Sequence, residues 1–256
     1  MKRKMTLVLV TVLLAALLMP LAACSEDAPA ATPRPTLVMA TNAMFPPFEF
    51  INDNGEFDGF DVHFARAIAA KLGMDLRIED MLFEAIIAAV QTGDGNMVGI
   101  AAMTDRADRR VSVDFTVSYF QTELVVIVTA NSAITSPDQL HDKRIAVQEG
   151  TTSDLFIDDE LPDAQVARFK AAPDTVLELT SGRADAIIID RGVAEQFISQ
   201  RSDIKILPEA LAEEVYAIAV KKGNAELLTS LNRAIQELKN EGVYQELYDR
   251  FFGGES

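Results

Sequence analysis

From residue 37 onward, short apolar segments of the sequence alternate with segments whose apolar residues recur at helical spacing. The run 37–41 predicts a buried strand, and Phe60, Phe64 and Ile68 predict an amphipathic helix that ends at Gly73, a suitable C-cap. Further strands are predicted at 76–78, 97–101 and 124–128, and a further helix at 84–92. Regular alternation of this kind favours an α/β fold with mostly parallel sheets covered by helices on both faces.

The alternation begins again near Ser136, which with Pro137 is typical of a helix N-terminus. The elements predicted after it are strands at 144–147, 166–169, 186–189 and 215–220, and helices at 151–158, 173–181, 191–199, 225–240 and 243–252. Two successive sets predict two lobes. Open α/β sheets place ligands at the carboxyl ends of their strands, so a site is expected where those ends meet the following helices.

The formal net charge of the 256-residue chain is −16, and no dense cluster of Lys and Arg interrupts it. Nucleic acid and anionic lipid surfaces carry the same sign of charge and would repel such a protein. We therefore expect no nucleic-acid partner. His63 and His141 show no metal-ligand spacing with each other or with the single cysteine, and we expect neither a metal nor a cofactor.

The N-terminal segment has the layout of a secretory signal peptide: basic residues at 2–4, an apolar run at 7–18 and small residues at 22–23. The chain's single cysteine, Cys24, follows directly. This arrangement resembles the lipobox of bacterial lipoproteins, which implies a signal peptide over 1–23 and an acylated Cys24. The alternative is an ordinary signal peptide, or a short uncleaved anchor, with an incidental cysteine. Residues 24–35 lack apolar periodicity and predict a flexible tether.

Six motifs carry a wider resemblance. They are TNAMFPPFE at 41–49, GFD at 59–61, QEGTT at 148–152, SGRADA at 181–186 before Asp190, KGN at 222–224 and YDRFFG at 248–253. In this order and spacing they are similar to the polar amino acid-binding proteins of ABC importers, family 3 of the bacterial extracellular solute-binding proteins. The resemblance runs from about residue 36 to residue 253.

The resemblance implies a clamshell of the type II periplasmic-binding-protein kind, whose chain crosses between the lobes at two hinge connections. For this sequence it implies that lobe 1 comprises 36–123 and 217–256, and that lobe 2 comprises 124–216. It also implies a free amino acid as the ligand, and the permease and ATPase of an importer as partners. We expect a monomer that meets the membrane only through its lipid anchor.

A free amino acid carries a carboxylate and an ammonium group, and burying both requires a fixed cation and a fixed anion. By resemblance, Arg109 binds the ligand carboxylate, for which a planar guanidinium is well suited. Asp190, at the end of the strand 186–189, matches the carboxylate that binds the ammonium. The alternatives are a surface arginine, given Arg106 and Arg110 nearby, and an aspartate that caps the helix after it.

Eight further residues match ligand-contacting positions of the family. Thr104 and the backbone at Ala102 are expected to donate hydrogen bonds to the ligand, and Thr151 and Thr152 at a helix start favour its carboxylate. The remaining positions surround the ligand side chain: Asn42, Phe45, Phe83 and Gln148.

The character of the ligand side chain is left open by these residues. Asn42 and Gln148 are neutral, which favours a neutral polar ligand, although Glu49 or Glu84 could contribute a charge. The core is the alternative location for Phe45 and Phe83. Arg106 departs from the family pattern, which has a threonine there.

Two other functions share the resemblance. The first is that of cyclohexadienyl dehydratase, an enzyme that needs a general acid beside the ligand, for which Glu84 and Glu149 are conceivable candidates. The second is that of a sensory protein whose partner is a receptor. The lipid anchor suits a transport receptor better than an enzyme, and we expect no catalytic activity.

Overall fold

The computed structural model describes residues 33–253, so the predicted signal peptide, Cys24 and most of the predicted tether lie outside the described residues. The helices of the described chain are α1 Phe60–Lys71, α2 Ile86–Thr92, α3 Thr152–Glu160, α4 Ala172–Thr180, α5 Arg191–Ser199, α6 Ala225–Asn240 and α7 Val243–Phe252. Short 3₁₀ helices lie at Phe83–Ala85, Arg109–Val111 and Pro137–Leu140. Within residues 33–253, no helix is long and apolar enough to cross a membrane.

The strands alternate with these helices, as the sequence predicts. They are β1 Thr36–Thr41, β2 Met44–Phe45, β3 Glu49–Ile51, β4 Phe57–Asp58, β5 Asp75–Asp80, β6 Met97–Gly99, β7 Val113–Phe115, β8 Phe120–Thr129, β9 Arg144–Gln148, β10 Gln165–Phe169, β11 Ala186–Asp190, β12 Ile204–Ile206, β13 Ala212–Tyr216 and β14 Ala219–Lys221.

Two sheets form the two lobes. The first has the order β5-β1-β6-β14-β7, and the second has the order β10-β9-β11-β8-β12, with β13 also paired to β8. In each sheet three neighbouring strands are parallel: β5, β1 and β6 in the first, and β10, β9 and β11 in the second. The remaining strands pair antiparallel. In the second sheet the parallel strands β9, β10 and β11 lead directly into α3, α4 and α5, so their carboxyl ends meet helix N-termini.

The chain passes between the two sheets along β8 and β13. These strands pair antiparallel from Phe120 opposite Tyr216 to Leu124 opposite Ala212. The single strand predicted over 215–220 is wrong, because β13 belongs to the second sheet and β14 to the first. Ala217 and Ile218, both fully buried, lie between them. An unbroken apolar run cannot show such a change of sheet. The lobe boundaries at 123–124 and 216–217 remain predictions.

Apolar residues cover both faces of the second sheet. Along β8, Leu124, Val126 and Val128 pack in one hydrophobic cluster. Val125 and Ile127 point to the opposite face and belong to another cluster, which continues into the first sheet. This alternation follows from the two-residue period of a strand. Apolar residues on both faces of this sheet are consistent with the predicted helices on both of its sides.

An aromatic cluster lies beneath the crossing strands. The Phe48 ring is 4.9 Å from the Phe120 ring, 5.2 Å from the Tyr216 ring and 5.0 Å from the Phe252 ring, measured between centroids. The backbone at Gly59 passes so close to Phe48 that an added Cβ would lie 2.3 Å from the Phe48 carbonyl oxygen. Gly59 has φ 114°, which glycine adopts readily. The cluster fixes the turn between β2 and β3, which contains Phe48, against the crossing strands.

Candidate functional site

One cavity between the two sheets is lined by all ten residues that the sequence predicts to bind a ligand. The two lobes leave this cavity nearly filled, since the centre of a water-sized sphere has only about 10 Å³ available inside it. Six of these residues lie on the side of the first sheet: Asn42, Phe45, Phe83, Ala102, Thr104 and Arg109. Four lie on the side of the second sheet: Gln148, Thr151, Thr152 and Asp190. Glu49 and Ala101 complete the lining.

The Arg109 side chain is buried in this cavity, in contrast to both neighbouring arginines. Its Nη1 donates to the Thr104 carbonyl oxygen at 2.9 Å, and its Nη2 donates to the Gly150 carbonyl oxygen at 3.1 Å. The second bond joins the two lobes. Burial lowers the pKa of Arg109 to about 10, with a further contribution from the positive charge of Arg106. The guanidinium is therefore still charged at neutral pH, and the surface alternative for Arg109 is wrong.

The other charges of this loop pair with one another at the surface. Arg106 Nε donates to Asp108 at 3.0 Å, and the guanidinium of Arg110 forms an ion pair with Asp105. Arg106, which departs from the family pattern, does not line the cavity. Arg109 is thus the one arginine of the loop whose charge faces the cavity.

Asp190 ends β11 and reaches the cavity from the opposite side. Its side chain does not cap α5, as the alternative requires, because Asp190 Oδ1 accepts a hydrogen bond from the Tyr216 hydroxyl group instead. Burial and the neighbouring Glu214 carboxylate raise the pKa of Asp190 to about 8. A nearby cation would reverse this shift, since opposite charge favours the ionised form of a carboxyl group.

Hydroxyl groups link the two lobes beside Arg109. The Thr152 hydroxyl group donates to Thr104 Oγ1 at 3.1 Å, and the Thr104 hydroxyl group donates to Glu214 Oε2 at 2.6 Å. Thr151 caps α3: its hydroxyl oxygen accepts from the Asp154 amide at 3.4 Å, and its O–H group donates to the Gln148 carbonyl oxygen at 2.7 Å. The N-terminus of α3 therefore faces the cavity, where its amide groups favour a negative charge.

A side-chain network at the other end of the cavity fixes the orientation of two amides. Asn42 Nδ2 donates to the Met81 carbonyl oxygen at 2.8 Å, which places Asn42 Oδ1 on the opposite side. Gln148 Nε2 then donates to Asn42 Oδ1 at 2.8 Å and to the Lys170 carbonyl oxygen at 3.2 Å. Both amino hydrogens of Gln148 are used. Its Oε1 is buried and has no hydrogen-bond donor among the described residues.

Four buried carboxyl groups lie in or directly behind the cavity: Glu49, Asp61, Asp190 and Glu214. Asp61 accepts hydrogen bonds from the Tyr119 hydroxyl group and the Ala102 amide, each at 2.7 Å. Burial raises the pKa of Asp61 to about 6, and burial together with Asp61 raises the pKa of Glu49 well above its ordinary value. From sequence alone, Glu49 is predicted only as a possible charge near the ligand side chain. Asp61, Glu214 and the two tyrosines were missed, because contacts across 26 to 110 residues leave no local signal.

Comparisons with known proteins identify the family of this chain. Residues 37–254 match the family described as bacterial extracellular solute-binding proteins, family 3. The chain belongs to this family. The solute-binding protein is 30% identical over 227 residues to the putative ABC transporter arginine-binding protein 2 of Escherichia coli K12, which covers 87% of this chain and 93% of that protein.

Solved structures of two ancestral proteins show the same fold. The solute-binding protein superposes on an ancestral arginine-binding protein bound to glutamine with a TM-score of 0.81 and 38% sequence identity, covering 87% of this chain and all of that one. It superposes on AncCDT-1, described as an ancestral amino acid-binding protein and a precursor of cyclohexadienyl dehydratase, with a TM-score of 0.80 and 32% identity, covering 85% and 95%. The predicted two-lobed type II fold is thereby confirmed.

Proposed function

We propose that this solute-binding protein is the amino acid receptor of an ABC importer: it binds one free amino acid between its lobes and delivers it to the membrane permease and its ATPase. The observation that carries the proposal is the placement of Arg109 and Asp190 on opposite sides of one buried cavity. A free amino acid is a small molecule with one charge of each sign, and this pair of side chains is complementary to it. The relatives named as amino acid-binding proteins support the same reading.

Each end of the amino acid backbone has its own partners in the proposal. The carboxylate binds to the Arg109 guanidinium, with further hydrogen bonds from the Thr104 hydroxyl group, the Ala102 backbone and the N-terminus of α3 at Thr151 and Thr152. The ammonium group binds to Asp190. Ionisation of Asp190 then becomes favourable, because the ammonium charge offsets the cost of burying the carboxylate.

The ligand side chain extends between Phe45 and Phe83 toward Asn42 and Gln148 in this arrangement. Arg109 already lies over the Phe83 ring, with its guanidinium carbon 5.3 Å from the ring centroid. The two rings supply apolar surface to the ligand side chain. The amide network described above lies at the far end.

Ligand binding is coupled to closure of the lobes. Arg109 lies on one lobe and Asp190 on the other, so a ligand held by one lobe attracts the other through its remaining polar groups. The direct contacts from Arg109 to Gly150 and from Thr152 to Thr104 are made only when the lobes are close. We propose that the permease recognises the closed form.

Export and lipid attachment complete the proposal. The sequence around Cys24 supports acylation of this residue, with residues 24–35 as the tether and the folded part acting as a monomer outside the cytoplasm. Metabolic labelling with a palmitate analogue tests the anchor: label in the full-length protein and none in the Cys24→Ser variant supports it. Equal labelling of both proteins refutes it.

Binding without catalysis is the expected activity. Turnover of a ring-containing acid would require a general acid directed at the ligand. Glu84 and Glu149, the conceivable candidates, both form ion pairs with Lys170 and do not line the cavity. Incubation with prephenate or arogenate tests this part of the proposal, and formation of product at an enzyme-like rate contradicts it.

The central experiment removes the cation. A thermal-shift screen of the proteinogenic amino acids on residues 33–253 identifies a ligand, because a ligand that binds only the folded state raises the melting temperature. Isothermal titration of Arg109→Ala with that ligand is expected to show no measurable binding. The control is Arg110→Ala, which removes a neighbouring arginine that pairs with Asp105 at the surface. Unchanged affinity in the Arg109 variant would refute the site.

A further inference from the structure

The acidic groups of the cavity outnumber its cations. Glu49 and Asp190 line the cavity, and Asp61 and Glu214 lie directly behind these residues. None of the four forms an ion pair with a Lys or Arg in the described part of the chain, and Arg109 is the cation in the lining. The carboxylate and ammonium of a ligand neutralise Arg109 and Asp190, which leaves the other three carboxyl groups without a counter-charge.

A proton shared between Glu49 and Asp61 does not remove the excess of acidic groups over cations. Glu49 Oε2 and Asp61 Oδ1 are both buried without a hydrogen-bond donor among the described residues. Burial raises the pKa of both groups, and the neighbouring Asp61 raises the pKa of Glu49 further. One proton held between the two carboxyl groups satisfies both oxygens and leaves one negative charge on the pair. Glu214 adds a further acidic group, to which Thr104 donates.

An independent observation concerns hydrogen bonding. Gln148 Oε1 lies in the cavity lining, and the network through Asn42 and Met81 fixes it as an acceptor without a donor. Gln148 is only 4% exposed, and a buried amide oxygen normally accepts a hydrogen bond. Asn42 and Gln148 are neutral, which favours a neutral polar ligand at the level of sequence, but Gln148 also offers an acceptor without a donor in the part of the chain that the structure describes.

We propose that the ligand is a dibasic amino acid, whose cationic side chain is bound by the Glu49 carboxyl group and by Gln148 Oε1. A guanidinium or ammonium group carries the missing positive charge, and its N–H groups supply the missing donors. The rings of Phe45 and Phe83 also line this cavity, and their faces attract a cation. This inference rests on the proposed function and names its substrate class.

Arginine and citrulline provide the matched test, because citrulline has nearly the same shape as arginine but carries a neutral urea in place of the guanidinium. Titration calorimetry of the wild-type protein is expected to show at least about 30-fold tighter binding of arginine. Glu49→Gln, which keeps the shape of the side chain, is expected to weaken arginine binding at least tenfold and to leave citrulline binding nearly unchanged. Glu84→Gln, outside the cavity, is the control and changes both affinities by the same factor.

Proton release gives a second readout. A cation bound beside Glu49 and Asp61 lowers the pKa of the pair and expels its proton. Titrations in buffers of different ionisation enthalpy are therefore expected to show more protons released by arginine than by citrulline.

The outcomes separate this inference from the proposed function. Equal affinity for arginine and citrulline, or tighter binding of a neutral amino acid, overturns the dibasic ligand and leaves the receptor function standing. If Glu49→Gln weakens the binding of arginine and citrulline by the same factor, the assignment of Glu49 is overturned, because its carboxyl group then binds the backbone ammonium that both ligands carry. Absence of binding for every amino acid overturns the proposed function and this inference together.

Discussion

Replacement of Asp190 by asparagine is expected to stabilise the protein without ligand and to abolish its function. The raised pKa of Asp190 means that the folded protein holds a proton at this site which the unfolded chain releases near the ordinary pKa of 3.8. Between pH 3.8 and 7 lie about three pKa units, each worth about 1.4 kcal/mol. The cost to the free energy of unfolding at pH 7 is therefore at most about 4 kcal/mol. Asparagine keeps the acceptor for the Tyr216 hydroxyl group and removes this cost.

The raised pKa of Asp190 determines how the free energy of unfolding changes with pH. The folded-state pKa of Asp190 is raised, so its contribution to stability is fully present below pH 3.8 and is lost as the pH rises toward 8. The variant lacks this loss. Its melting temperature is expected to equal that of the wild type near pH 4 and to exceed it by roughly 5–10 °C at pH 8.

Ligand binding changes in the opposite direction. Loss of the carboxylate leaves the ligand ammonium buried without a counter-charge, which costs about 2–5 kcal/mol and weakens binding by more than about 30-fold. Scanning calorimetry across pH 4–8 without ligand, followed by titration of the ligand at pH 7, measures both effects. A variant that melts below the wild type at pH 8, or a difference that does not change with pH, would refute the assignment of a buried, protonated Asp190.

Three further substitutions test the packing and the closed form. Gly59→Ala is expected to lower the free energy of unfolding by more than about 2 kcal/mol, because the added Cβ would collide with the Phe48 carbonyl oxygen. Gly55→Ala is the control: it has open space around it and is expected to cost about 1 kcal/mol. Urea denaturation measures both values. Phe48→Ala is expected to cost about 3–5 kcal/mol in the same assay. Lys170→Ala removes an exposed ion pair with Glu84 across the lobes and is expected to weaken ligand binding less than about fivefold, with no effect left at high salt.

The repeating pattern of the sequence predicts most of the fold. Alternating strands and helices fix the α/β class, and the β-branched run at 124–128 predicts the core of β8 because a buried strand needs little besides such residues. The change of sheet between β13 and β14 leaves no trace, since Tyr216 to Val220 are all buried in either arrangement. Strands of two or three residues, such as β2 and β7, are too short for a period to be visible.

The positions in the cavity are predicted better than its chemistry. The family resemblance predicts that Arg109 and Asp190 belong to one site, and both residues line the same cavity. The orientation of the Gln148 amide depends on the Met81 carbonyl oxygen, and the ionisation of Asp190 depends on Glu214 on another strand. Such properties belong to the folded arrangement and cannot be deduced from any single segment.

The negative charge of Asp190 acts on Glu49 of the opposite lobe, and this interaction affects opening and closing of the lobes. Glu49 lies within electrostatic reach of Asp190, so two carboxyl groups approach each other as the clamshell shuts. Above the pKa values of Glu49 and Asp190 both carboxyl groups are ionised, and their repulsion opposes closure of the lobes unless a ligand brings positive charge. We expect the ligand-free protein to be mostly open at alkaline pH. A permease that recognises the closed form would then seldom bind the protein without its ligand.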